Sequence, residues 1–198
     1  MWVKICGITD PGAAAMAQAA GASAIGVVVA ESPRQVTPVQ ALAIVEAIDI
    51  ESYLLTVDDE SDHVLSLAAE IGVTGVQPYG VAGAQTAAAA RRAGLAVLRP
   101  VKVGVERPAI EDIPRDQMIL TDTDLPQAHG GTGRPFDWSL VRGIGRPFVL
   151  AGGLTPDTVA EAVNLARPVG VDVSSGVESA PGKKDRRLVH TFIERANA

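Results

Sequence analysis

Hydrophobic and polar positions along the chain alternate between two periods. Short apolar runs closed by turn residues, such as Val3-Lys4-Ile5-Cys6 before Gly7 and Phe148-Val149-Leu150-Ala151 before Gly152, predict strands. The longer segments between them carry helical spacing. Strands are predicted at residues 2–6, 24–29, 53–57, 74–77, 96–101, 118–122, 148–151 and 169–174. Helices are predicted at 11–20, 38–48, 61–71, 81–93, 136–141, 156–166 and 185–196, with a further short one near 106–113. Asp10-Pro11, Thr37-Pro38 and Thr155-Pro156 each place a capping side chain ahead of a proline suited to the first helical position. Gly21, Gly72 and Gly94 stand where a helix needs a left-handed stop.

Alternation of strand and helix argues for a parallel sheet covered by helices. Eight such units in 198 residues leave about 25 residues each, which predicts a minimal α/β protein of the (β/α)8 TIM-barrel class. A single domain over residues 1–198 is expected, because no linker, charge block or low-complexity stretch interrupts the units. The rival architecture is a doubly wound open sheet. It uses five or six strands, and its dinucleotide-binding form needs G-x-G-x-x-G after the first strand, where this chain reads Cys6-Gly7-Ile8-Thr9-Asp10.

Composition narrows the function. One cysteine cannot close an intrachain disulfide, and with three scattered histidines it makes no zinc cluster, so disulfide scaffolds and zinc modules are excluded. Seventeen basic residues against 23 acidic ones give a net charge of −6, which offers no basic footprint for nucleic acid or anionic lipid. The weakly polar run 13–30 is long enough for a membrane helix, but it is mostly Ala and Gly and is interrupted by Gln18 and Ser23. It reads as a helix, a turn at Gly21 and a strand. The N-terminus lacks the charged, apolar and small-residue succession of a secretory leader, and a cytoplasmic protein with no nucleic-acid or membrane partner is expected.

In a barrel of this kind, the C-terminal ends of the strands and the loops after them build the site. Cys6 ends the first predicted strand, Asp58 follows the third, Gln77 ends the fourth, Asp122 the sixth, and Asp172 and Ser174 lie on the eighth. Side chains alternate along a strand, so Lys4 and Cys6 share a face, as do Asp172 and Ser174. Cys6 is either inert packing or, with Lys4 favouring its thiolate, a base or nucleophile. Lys4 could equally pair with an inward carboxylate. Asp122 closes an apolar strand and calls for a cap or a function, whereas Asp124 reads as a solvated loop residue. Two glycine-rich turns, Ala151-Gly152-Gly153-Leu154-Thr155-Pro156 and Ser174-Ser175-Gly176-Val177, follow strands seven and eight, where barrels commonly hold phosphate. Glycine also serves tight connections, but the two turns in this order favour a phosphorylated small molecule. Gly130-Gly131-Thr132-Gly133, after His129, is either a cover over the site or an ordinary loop. Arg34 could clamp a carboxylate with its planar fork or lie on the surface. His63, His129 and His190 stand at no ligand spacing.

Taken together, these pieces resemble a family. Lys4-Ile5-Cys6-Gly7-Ile8-Thr9, Ser32-Pro33-Arg34, Gly75-Val76-Gln77, Asp122 with Gly130-Gly131-Thr132-Gly133, Phe136-Asp137-Trp138, Ala151-Gly152-Gly153-Leu154 and Gly170-Val171-Asp172-Val173-Ser174-Ser175-Gly176-Val177-Glu178 run in the order found in phosphoribosylanthranilate isomerases. The resemblance covers nearly the whole chain and implies a (β/α)8 enzyme of tryptophan biosynthesis. Its reaction would be the Amadori rearrangement of N-(5-phosphoribosyl)anthranilate to 1-(2-carboxyphenylamino)-1-deoxyribulose 5-phosphate. It implies Cys6 as general base, Asp122 as general acid and Arg34 as holder of the anthranilate carboxylate. Gln77 and Asp172 are expected to bind substrate, and Gly152, Gly153, Ser174, Ser175 and Gly176 to bind its phosphate. No cofactor and no metal are expected, and the chain should act as a monomer or homodimer. The rival functions are another sugar-phosphate isomerase and a non-catalytic phosphometabolite-binding barrel. The chain departs from the family at Gln77-Pro78-Tyr79-Gly80, where relatives usually read Gln-Leu-His-Gly. It departs also in a short turn before Ser32 and at Thr121, which replaces an apolar residue beside the acid.

Overall fold

The computed structural model describes residues 1–123 and 136–198. All eight predicted strands form: β1 (Trp2–Cys6), β2 (Ala24–Val28), β3 (Glu51–Val57), β4 (Gly75–Tyr79), β5 (Ala96–Val103), β6 (Met118–Thr123), β7 (Phe148–Leu150) and β8 (Gly170–Val173). They pair in parallel in chain order, and β8 closes on β1 with Lys4 opposite Asp172. The expected (β/α)8 barrel is therefore the observed one. Both faces of each strand are covered, which is why the strands read as apolar runs rather than as clean alternation.

Outward residues such as Val3, Ile5, Ile25, Val27, Leu54 and Val76 pack beneath the helices. Inward residues form two further groups. Ala24, Tyr53, Leu98, Leu120, Val149 and Ala151 fill the lower interior, and Cys6, Val28, Leu55 and Tyr79 line the mouth. An eight-stranded barrel has room inside for little more than side chains, so large residues face small ones. A Cβ on Gly75 would lie 2.5 Å from the Tyr53 ring and 2.8 Å from the Ala96 carbonyl oxygen. Trp2 and Tyr53 meet edge to face with centroids 6.1 Å apart, and both donate to Glu51 Oε2, at 3.3 and 3.0 Å. That cluster plugs the N-terminal end and leaves the opposite end for chemistry.

The helices are α1 (Pro11–Ala19), α2 (Pro38–Val45), α3 (Ser61–Ile71), α4 (Gly83–Arg92), α5 (Val159–Ala166) and α6 (Arg186–Ala196). Asp10 caps α1 by accepting from Ala13 N at 2.8 Å, and Thr37 and Gln40 form a reciprocal capping box on α2. Gly21, Gly72 and Gly94 take the positive φ that stopping a helix requires.

Three expectations need correction, and one element was not expected. Residues 106–113 form no helix: Pro108 lacks the amide a helix would use, and Arg146 pins the following backbone through the carbonyls of Ile113, Pro114 and Gln117. Residues 136–141 give only a 3-10 turn, Trp138–Val141, opened by Asp137 accepting from Ser139 N at 3.0 Å. At Thr155-Pro156 the cap is reversed. Thr155 N donates to Thr158 Oγ1 at 3.0 Å, so a turn precedes α5 and the helix starts at Val159. An unforeseen antiparallel hairpin, β9 (Glu178–Ala180) and β10 (Lys183–Lys184), follows the 3-10 turn Ser175–Val177. Among the described residues, no helix is long and apolar enough to cross a membrane.

The interior packing sets a direct expectation. Gly75→Ala should destabilise the fold by about 1–3 kcal/mol through overpacking against Tyr53 and the β5 backbone. Chemical denaturation measures it, and a loss below the scatter between replicates would show that the interior has slack.

Candidate active site

The site is built where β1 and β8 adjoin. Parallel register sets Lys4 beside Asp172, and Lys4 Nζ lies 2.9 Å from Asp172 Oδ1 with no part of the lysine side chain exposed. One layer higher on the same face, Cys6 ends β1, as the period of a strand dictates. Gly26, opposite Cys6 on β2, makes room for both: a Cβ there would stand 2.9 Å from Sγ and 3.1 Å from Lys4 Cε. Burial opposes the Lys4 charge, but Asp172 and Cys6 outweigh it and raise its pKa, so the lysine stays cationic. Burial also pushes the Cys6 thiol above its usual range, against the pull of Lys4. Asp172 is raised by burial and drawn back by Lys4.

Across the mouth, Asp122 ends β6. Its Oδ1 accepts from Thr123 N at 2.9 Å, and its Oδ2 lies 3.3 Å from the donating Tyr79 hydroxyl and 3.5 Å from Lys102 Nζ. Burial first, then Asp122, hold the Tyr79 hydroxyl well above its ordinary pKa, so it remains a donor. Gln77 Nε2 donates to the same hydroxyl at 2.9 Å.

Arg34, in the loop after β2, reaches over the end of β1. Gly7, at φ 71°, permits this, since a Cβ there would collide with the arginine stem and come within 3.1 Å of Ser174 Oγ. The two glycine-rich turns meet behind it. Gly176 lies directly against the Leu154 carbonyl, so the turns after β7 and β8 form one continuous backbone wall.

One cavity brings together Cys6, Asp122, Arg34, Asp172 and the turn residues Gly152, Gly153, Ser174 and Ser175. Two expected residues stand apart from it. Gln77 lies beneath Tyr79, fully buried, with its Oε1 unpartnered among the described residues, and Gly176 serves as the contact between the turns. Asp58 is committed to structure, accepting from Val81 N at 2.6 Å ahead of α4. Asp124, His129 and the stretch Gly130–Gly133 lie outside the described residues.

Sequence reasoning missed three groups. Lys102 lies on β5 beyond the predicted end of that strand. Glu178 and Lys184 sit on the hairpin, where Glu178 pairs with Arg34 at 2.8 Å and with Lys184 at 2.7 Å. The Pro181-Gly182 turn between two short polar runs was the available signal for that hairpin.

The contact between the turns yields a prediction. Gly176→Ala must push the two turns apart, and binding of inorganic phosphate should weaken about tenfold, the share of one or two backbone donors. Calorimetric titration measures this, and unchanged affinity would place the anion elsewhere.

Known proteins resemble this chain throughout. A family model described as N-(5'-phosphoribosyl)anthranilate (PRA) isomerase matches residues 3–195. An N-(5'-phosphoribosyl)anthranilate isomerase of Pelobacter propionicus is 41% identical, over 98% of this chain and 94% of its own. One from Haloferax volcanii is 37% identical, over 98% and 92%. Among solved structures, phosphoribosyl anthranilate isomerase from Thermus thermophilus superposes with a TM-score of 0.89 at 33% identity, covering 100% of this chain and 98% of that one. A phosphoribosyl anthranilate isomerase in complex with reduced 1-(o-carboxyphenylamino)-1-deoxyribulose 5-phosphate gives a TM-score of 0.83 at 33% identity, with the same coverage. By its sequence, its barrel and these relatives, the chain belongs to the N-(5'-phosphoribosyl)anthranilate isomerase family.

Proposed function

We propose that this chain isomerises N-(5-phosphoribosyl)anthranilate to 1-(2-carboxyphenylamino)-1-deoxyribulose 5-phosphate, with Asp122 as general acid and Cys6 as general base. The observation that carries these roles is that both side chains line one cavity from strands three apart in a ring of eight, so they face each other across the mouth. A substrate lying between them meets an acid on one side and a base on the other. Asp122 gives its proton to the ribose ring oxygen as the C1–O bond breaks, and the amine nitrogen supplies the electron pair for the imine. Cys6 then takes the proton from C2, and the resulting enolamine is protonated at C1 as the C2 hydroxyl becomes a ketone. Positioned acid and base groups of this kind contribute about 10²–10⁴-fold each.

The other residues bind. Arg34 receives the anthranilate carboxylate at one end of the cavity, and the turns of Gly152, Gly153, Ser174 and Ser175, joined at Gly176, receive the phosphate at the other. Asp172 spends one carboxylate oxygen on Lys4 and has the second for a sugar hydroxyl. Gln77 acts from beneath by holding the Tyr79 hydroxyl. The enzyme works in the cytoplasm as a monomer or homodimer.

Cys6→Ala and Asp122→Asn should each lower kcat at least about a hundredfold with the fold intact. Loss of anthranilate fluorescence measures turnover, and near-normal rates in either variant would remove that residue from its role. The pH profile follows from the direction of the Cys6 shift. The base acts only as thiolate, and its pKa in the free enzyme is raised, so kcat/KM should climb from pH 7 to 9 without levelling. Lys4 pulls that pKa down, so Lys4→Met should move the rise to still higher pH. A plateau already reached at pH 7 would contradict this.

A further inference from the structure

We infer that Glu178, shared between Arg34 and Lys184, is a positioning residue that fixes the Arg34 guanidinium to receive the substrate carboxylate, and that the β9–β10 hairpin carries this device. The inference rests on the assignment of Arg34 as carboxylate reader. Arg34 donates from Nε to Glu178 Oε1 and from Nη2 to Oε2, both at 2.8 Å. This bidentate grip uses one edge of the guanidinium and leaves Nη1 and the outer N–H of Nη2 for a ligand. Glu178 is itself held from the other side. Lys184 Nζ lies 2.7 Å from Oε1 and also donates to the Ser174 carbonyl at 3.1 Å and to Ser174 Oγ at 3.4 Å.

The cluster is almost dry, with side-chain exposures of 12% for Arg34, 5% for Glu178 and 0% for Lys184. Two cations therefore share one carboxylate, and the residual positive charge is available to an arriving carboxylate. Burial would raise the Glu178 pKa, but Arg34 and Lys184 reverse it, so Glu178 remains an anion. The opposite reading makes Glu178 a plug that substrate must displace. Displacement would take two charge-assisted bonds from a nearly buried carboxylate and leave it with Lys184 alone, whereas the guanidinium edge already free can be used without breaking any bond. The hairpin is anchored where this role requires: Thr9 Oγ1 donates to the Gly182 carbonyl at 2.7 Å, tying the hairpin tip to the loop after β1. Through Ser174, the same lysine joins the carboxylate end of the site to the phosphate turn.

Two ligands test this: the reduced product analogue, which bears the benzoate carboxylate, and its phenyl counterpart without it. Glu178→Gln should weaken the first about ten- to a hundredfold, the share of a charge-assisted contact, and the second less than about twofold. With substrate, KM should rise more than kcat falls. Lys184→Met should show the same selectivity, smaller in size. Thermal unfolding of each variant separates these effects from loss of fold, and Glu178→Asp, which keeps the charge but shortens the reach, serves if the glutamine variant does not fold. Equal weakening of both ligands, or tighter binding of the first, would overturn the positioning role. Arg34→Ala keeps the premise distinct: if it weakens both ligands equally, the assignment of Arg34 fails instead.

Discussion

A lysine ammonium sealed inside the barrel is the constraint from which the arrangement of the mouth follows. Lys4 has no exposed surface, and among the described residues its charge is compensated by a 2.9 Å pair with Asp172 on the adjoining strand and by its neighbour Cys6. Removing either partner of such a pair strands a buried charge and costs about 3–5 kcal/mol, whereas replacing both with apolar residues is often neutral. Stability alone therefore gives no reason to keep it. Its place directly under the cysteine does: a fixed positive charge one layer below Sγ lowers the cost of the thiolate that burial would otherwise forbid. The neighbours follow from this. Gly26 must lack a side chain to leave space for the lysine stem and the sulfur, and Asp172 must face inward at the seam where β8 closes on β1.

The fold was legible because it is written locally. Each strand is a short apolar run ended by a turn residue, and α1 and α2 carry their caps in sequence, so eight strands were found with boundaries wrong mainly at β3, β4 and β5. The misplaced helices have two causes. At 106–113 the distant Arg146 holds the backbone, a contact with no trace in the local period, whereas at 136–141 and 156–158 short-range bonds, Ser139 N to Asp137 and Thr155 N to Thr158, set turns where helices are expected. The site divided along the same line. Cys6, Asp122, Asp172 and the two turns lie at strand ends, which the barrel rule picks out, and the cavity unites them. Lys102, Glu178 and Lys184 do not: one sits past the predicted strand end, and the others lie on a hairpin after the last strand. Asp122, which pairs with Lys102, and Arg34, which pairs with Glu178, are 20 and 144 residues away, beyond the reach of any spacing argument, and Lys184 meets Glu178 six residues off only because the hairpin turns back.

Tyr79 shows how a departure from the family is accommodated. Where relatives usually carry histidine, the phenol occupies the interior between Gln77 and Asp122, donating to the carboxylate while receiving from the amide. A histidine can bring a proton to that position near neutral pH, whereas a tyrosine whose pKa is raised far above its usual value cannot change charge there. The charge beside Asp122 in this chain comes instead from Lys102, whose ammonium stands 3.5 Å from the carboxylate and 5.5 Å above the Tyr79 ring. The tyrosine thus supplies geometry and the lysine supplies field.

The ion pairs at the mouth bring cations together in a protein that is acidic overall. Among the described residues, Lys4, Lys102, Arg34 and Lys184 pair with Asp172, Asp122 and Glu178, and Glu31 lines the same cavity outside these pairs, so four cations stand among four carboxylates in a protein whose net charge is −6. The proposed substrate carries a phosphate of nearly two negative charges and a carboxylate of one. An opening balanced in charge repels such anions less than the acidic surface around it. Asp172, Asp122 and Glu178 are each held by at least one cation, so this balance leaves none of the three as an unpaired buried anion. The acidic exterior and the balanced mouth are compatible for that reason: the first governs solubility over the whole surface, and the second acts over the few ångströms between Arg34 and the turns after β7 and β8.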